Sequence, residues 1–140
     1  MYKKNLKAYK AQSLEAEMSV ADPHRVIQLM MQGTLERLAQ AKGAIIRRDF
    51  ETKAEAISKA QALLNGLQDS LDMSQGKLSE DLYVLYDYMK QSLVTASVKL
   101  NPEVIDEVAN LMITIKSAWD QISDTEKQKG FDMRQQQGLL

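Results

Sequence analysis

No cysteine occurs in the 140 residues. Disulfides, thiolate nucleophiles and cysteine metal sites are therefore excluded together. Only two prolines and six glycines interrupt a chain rich in Ala, Leu, Lys, Gln and Glu, a composition that favours helix throughout. No apolar run approaches the roughly 18 residues that suggest a membrane span. The opening MYKKNLKAYK has lysines but lacks the apolar centre of a secretory signal. A formal net charge of -1 gives no global pull toward nucleic acid or anionic lipid. These absences predict a cytoplasmic protein with no nucleic-acid partner and no membrane insertion.

Candidate catalytic chemistry is sparse as well. His24 is the single histidine, with no nucleophile or metal partner in view, and reads as a satisfied surface side chain. A di-iron bundle needs Glu-x-x-His pairs facing inward, and none occurs. The glycines stand alone, so no phosphate-binding loop forms. Acid pairs such as Glu80-Asp81 fit helix-start electrostatics. The sequence predicts no enzyme, no metal and no cofactor.

What is present is periodicity. The length suits one domain with a core that needs no staples. Asp22 is placed to cap a first helix with Pro23 at its first position, where the missing N–H is harmless. Ile27, Met31, Leu38 and Ile45 then share one face, while Val26 and Leu29 point elsewhere. Gly33 in mid-helix suggests a close helix crossing. After a corner at Arg48-Asp49, Phe50, Ile57, Leu64 and Leu71 recur every seven residues, a bundle-type seam. Residues 72–78 read as a loop, with Ser79 capping a third helix to Leu100. Asn101-Pro102 repeats the cap-plus-proline device, and Ile105, Val108, Met112 and Trp119 mark the buried face of a fourth, with Ile113 off it.

The expected architecture is all-α: an antiparallel up-down-up-down four-helix bundle over 22–125. Residues 1–21 precede it as a mobile N-terminal strap, whose Leu6, Tyr9 and Leu14 would dock on the domain. A flexible tail, 126–140, follows.

The third helix carries more apolar residues than one stripe can bury. At 100° per residue, Leu78, Leu82, Leu85, Met89, Leu93, Ala96 and Leu100 fall in one sector. Tyr86 and Tyr88 flank it, and Tyr83, Val94 and Val98 lie on the far side. Asp87 reads as a solvated charge or a hydrogen-bonder at the rim of a binding strip. Together with Val26, Leu29, Ile113 and the strap residues Leu6 and Tyr9, the surplus on helix three predicts a surface for a partner helix.

Pro23-His24-Arg25-Val26-Ile27-Gln28-Leu29-Met30, with Gly33 and Leu35 after it, is the first of several short motifs that, in order, resemble the flagellar export chaperone FliS family; it is similar to the opening of that family's first helix. Leu85-Tyr86-Asp87-Tyr88-Met89 resembles its most recognisable motif, Tyr9 its lead-in tyrosine, and Ala118-Trp119 the end of its fourth helix. Met30-Met31-Gln32-Gly33 stands where the family usually has Leu-Tyr-Asp-Gly, and Leu6 where a first tyrosine is common. The resemblance spans about Leu6 to Trp119. It implies a four-helix bundle that binds the disordered C-terminal segment of flagellin, prevents its early polymerisation and helps deliver it to the flagellar export apparatus. It also implies a strap that covers part of the client surface. A helix-binding adaptor for another flagellar or signalling protein is the alternative from residues alone.

Overall fold

The computed structural model describes residues 22–122. Among them every regular element is helical: α1 (Pro23–Arg47), α2 (Phe50–Asp69), α3 (Lys77–Lys99) and α4 (Pro102–Asp120), with a 3-10 turn at Met73–Gln75. The all-α class and the four helices are as the sequence predicts. The strap with Leu6 and Tyr9, and the tail, lie outside the described residues.

Three of the helix starts follow from local chemistry. The Asp22 carboxylate accepts from the Arg25 N–H at 2.8 Å. Asp49 accepts from the Thr52 N–H at 3.2 Å and from its hydroxyl at 2.7 Å. The Asn101 side-chain oxygen accepts from the Glu103 N–H at 3.0 Å. Each side chain satisfies a donor that the first helical turn leaves without a partner. Two helices stop by turning left-handed without glycine, α1 at Arg48 (φ 60) and α3 at Leu100 (φ 52). In those turns the Asp49 N–H reaches the Ala44 carbonyl at 2.9 Å, and the Asn101 N–H reaches that of Ala96 at 3.0 Å.

The start of α3 departs from expectation. The helix begins at Lys77, directly after Gly76, whose φ of 87 is open to glycine and strained for other residues. Ser79 therefore sits inside the first turn, buried, and caps nothing. Upstream, Asp72 caps the 3-10 turn by accepting from the Ser74 N–H at 3.0 Å. Because α2 ends at Asp69, Leu71 lies past the helix and is only half-buried.

The described chain divides into two compact units. The larger, Met30–Ala118, shows the bundle topology. A Cβ added to Gly33 would stand 3.2 Å from Leu63 Cδ1, and one on Gly66 would run into the Met30 methyl. Positions 30 and 33 thus face 66 and 63, so α1 and α2 are antiparallel and close; Gly33 lies tight against Leu63, whereas the neighbour of Gly66 is the flexible end of Met30. Lys53 Nζ donates to the Ser97 carbonyl at 3.1 Å and Gln61 Nε2 to the Lys90 carbonyl at 2.8 Å, so α2 and α3 are antiparallel too. Tyr88 donates to Glu107 across α3 and α4, and Lys42 pairs with Asp106 at 2.9 Å between α1 and α4. The order is up-down-up-down. Leu38, Leu64, Leu67, Met89, Leu93 and Met112 are the fully enclosed centre.

Four further expectations are corrected by burial. Phe50 is 45% exposed and Leu78 71%, because each sits at a helix end where the seam runs out. Tyr86 is 2% exposed, belonging to the core and not its flank. Leu29 is 7% exposed although off the predicted stripe; a helix packed on more than one side buries more than one stripe.

In the smaller unit the described residues are 22–29 and 119–122. His24 is buried there, not at the surface. Its Nε2 donates to the Trp119 carbonyl at 2.9 Å, and Trp119 Nε1 donates to the His24 carbonyl at 3.0 Å. Beside them Gln28 Nε2 donates to Asp120 Oδ1 at 2.8 Å.

Candidate functional site

The residues that the bundle does not use for its core gather on α3. Tyr83, Val84, Val94 and Val98 are all exposed, and at 3.6 residues per turn they fall within about 100° of one another, opposite Met89 and Leu93. Val98 is the most open, at 78%. Exposed apolar side chains are ordinary when single. Two such pairs on one face, Tyr83–Val84 and Val94–Val98, with polar Asp87 and Gln91 between them, mark a strip about four turns long that a second helix can lie along.

Three of these residues are those singled out from the sequence. Val84 was missed, although its angle, opposite the buried sector, placed it with Tyr83 and Val98. Ile113 is exposed as expected, but on α4. It lies about 120° round that helix from Glu107, the residue that meets α3, and so does not join the strip. Val26 is half-buried and Leu29 buried.

Tyr86 and Tyr88 divide their roles. Tyr86 is enclosed, and burial pushes its hydroxyl up to about 12. Tyr88 is half-exposed and donates to Glu107, which raises its hydroxyl above the ordinary value. Between them, Asp87 turns toward α2. Gln68 Nε2, buried, donates to Asp87 Oδ1 at 2.8 Å and to the Tyr83 carbonyl at 3.0 Å. Lys90 Nζ donates to Gln68 Oε1 at 2.7 Å and to Asn65 Oδ1 at 2.9 Å, and lies 3.4 Å from Asp87. The Gln68 amide, aided by Lys90, holds the Asp87 carboxyl below its usual range. Asp87 is thus a half-exposed carboxylate held by hydrogen bonds, not a plain solvated charge. Its side chain is engaged through Oδ1 yet 45% exposed, and with exposed Gln91 it lies between the Tyr83–Val84 and Val94–Val98 pairs on the outward face.

The sequence profile of the family described as flagellar protein FliS matches residues 5–126. The chain belongs to the FliS family. It is 46% identical over 121 residues to the flagellar secretion chaperone FliSB of Pseudomonas aeruginosa, covering 86% of this chain and 96% of that one. It is 37% identical over 119 residues to the flagellar secretion chaperone FliS of Vibrio cholerae, with 84% and 88% covered. The FliS chaperone of Salmonella typhimurium is 36% identical over 120 residues, with 84% and 89% covered. Among the described residues of this FliS-family chain, no helix is long and apolar enough to cross a membrane.

Proposed function

We propose that this chain is a cytosolic flagellar secretion chaperone, not an enzyme, whose client is the disordered C-terminal region of flagellin. Bound client is kept from polymerising too early and is passed to the flagellar export apparatus. Family membership and the relatives' shared role support the chaperone reading. The exposed α3 strip is the observation that carries the mode of binding. A disordered segment gains helix as it lays an apolar face on Tyr83, Val84, Val94 and Val98, and the loss of its chain entropy is offset by that burial. Ile113 would extend the contact for a client long enough to wrap; Val26, half-buried, is a separate candidate contact. Buried Leu29 would support its helix and not touch the client.

Residues 1–21, with Leu6 and Tyr9, would act as a strap over part of this surface, lowering apparent client affinity by the fraction of time they occupy it. Deleting residues 1–15 should then change affinity while melting stays cooperative. A collapse of helicity would make the segment structural instead.

Calorimetric titration with a peptide spanning the C-terminal segment of the cognate flagellin tests the main reading. Saturable binding with a negative heat-capacity change is expected. Absence of binding at roughly tens of micromolar would remove it.

A further inference from the structure

The polar residues between α2 and α3 form two matched ladders. Gln61, Asn65 and Gln68 stand at i, i+4 and i+7 on α2; Tyr83, Asp87 and Lys90 stand at the same spacing on α3. Helical neighbours recur at this spacing, so each ladder keeps to one side of its helix. They mesh through the Gln61 and Lys90 backbone bond, the Asn65–Lys90 bond and the three contacts of Gln68.

We propose that this meshed ladder, centred on Gln68, is the register lock between α2 and α3, and that it positions the outer strip of α3. The proposal concerns the bundle itself and does not depend on which client binds.

Apolar packing between these helices specifies register weakly. The buried residues Ala56, Ile57, Ala60 and Leu64 of α2 and Met89, Leu93 and Ala96 of α3 recur on the same helical period. Sliding α3 by one helical turn, about 5.4 Å, replaces one aliphatic contact by another. The polar ladder admits no such slide. A shift in one direction puts Val94 where Lys90 meets Gln68 Oε1; a shift in the other puts Tyr86 there. Either leaves the buried Gln68 amide without its partners, which is unfavourable, while Lys90 and Asp87, both part-exposed, lose their bonds to it. Polar side chains enclosed between helices set register in just this manner, at some expense of stability.

The lock also acts on the strip. Gln68 grips the backbone at Tyr83 and the side chain at Asp87, the turn between the Tyr83–Val84 and Val94–Val98 halves. Asp87 is therefore a positioning residue, tied to α2 through Oδ1 at the centre of an outward-facing surface.

The test compares three proteins by two-dimensional amide NMR and thermal melting: wild type, the apolar variant Q68M/D87A/K90M, and the neutral variant D87N/K90Q. The neutral variant retains an acceptor for the Gln68 amide and a donor for its carbonyl. It is expected to give one set of cross-peaks for Lys53 and Ser97, a paired position outside the substitutions. The apolar variant is expected to stay helical with doubled or exchange-broadened cross-peaks there. Should it fail to fold, the same reading is taken from Q68M alone. A single sharp set at wild-type positions in the apolar variant, or in Q68M if that is used, would overturn the lock. Doubling in D87N/K90Q would show that hydrogen bonding is not its basis, overturning it equally.

Discussion

His24 and Trp119 stack with ring centroids 4.8 Å apart and planes within 10° of parallel, and each donates a hydrogen bond to the other's carbonyl. A carbonyl only accepts, so His24 carries its proton on Nε2. The Trp119 oxygen, in the last turn of α4, also accepts from the Ile122 N–H at 3.2 Å. Carbonyls of a final turn have no partner within the helix, and His24 supplies one across 95 positions of sequence. This pair consists of the chain's only histidine and only tryptophan.

That uniqueness gives a direct measurement. His24→Ala removes the stacking face and one of the two reciprocal bonds, and should lower unfolding free energy by about 1–3 kcal/mol in urea titrations. Trp119 emission should shift to the red as the indole loses its covered face. Trp119→Phe keeps a stacked ring but loses the N–H bond, and the loss should be the smaller, about 1 kcal/mol. Equal stability in wild type and His24→Ala would show that the clasp adds nothing.

The two faces of α3 should respond oppositely to truncation. Leu93→Ala removes a fully enclosed side chain and is expected to destabilise by about 2–5 kcal/mol. Val98→Ser, on the open strip, should stay within about 0.5 kcal/mol of wild type. Paired with Val94→Ser, it should weaken flagellin-peptide binding by calorimetry while the melting curve is unchanged. A large loss of stability from the strip pair would place those valines in the fold instead.

The caps show what sequence made legible. Asp22, Asp49 and Asn101 act within three residues, so their short range is written in the chain itself. Ser79 misled because a serine before two acids is a good start signal, yet Gly76, already left-handed, begins the helix sooner. The strip was readable wherever angle alone decided it, as for Val94 and Val98. Angle failed for Tyr86 and Leu29, because a single stripe describes a helix with one neighbour and these bury more than one side. Nothing local marks the partner of His24 or that of Asp87, both of which come from other helices.

Asp49 and Asp87 give the acid limb of stability a defined origin. Thr52 holds the Asp49 carboxyl below its ordinary value of 3.8, and Gln68 does the same for Asp87. A depressed folded-state pKa contributes stability that is complete above the unfolded value and is lost as pH falls through the folded one. The decline therefore belongs below about pH 4. Asp49→Asn keeps a capping oxygen without the titration, so its melting temperature should fall less steeply there than that of wild type. Parallel curves for the two proteins would remove Asp49 as a source.

Tyr86 sets the opposite limb. Its hydroxyl titrates at about 12 in the fold against an ordinary 10.0, because ionising it would bury a charge. With the folded value raised, its contribution is complete below pH 10, falls as the unfolded chain ionises first, and is gone once the folded group ionises near 12. Tyr86→Phe cannot ionise and fits the same enclosed space. The difference in melting temperature between wild type and Tyr86→Phe should thus be constant up to about pH 10 and then move in favour of the variant. Tyr88→Phe serves as the comparison, since Tyr88 is half-exposed and bonded to Glu107. An alkaline limb identical in wild type and Tyr86→Phe would mean that water reaches the Tyr86 hydroxyl within the folded bundle.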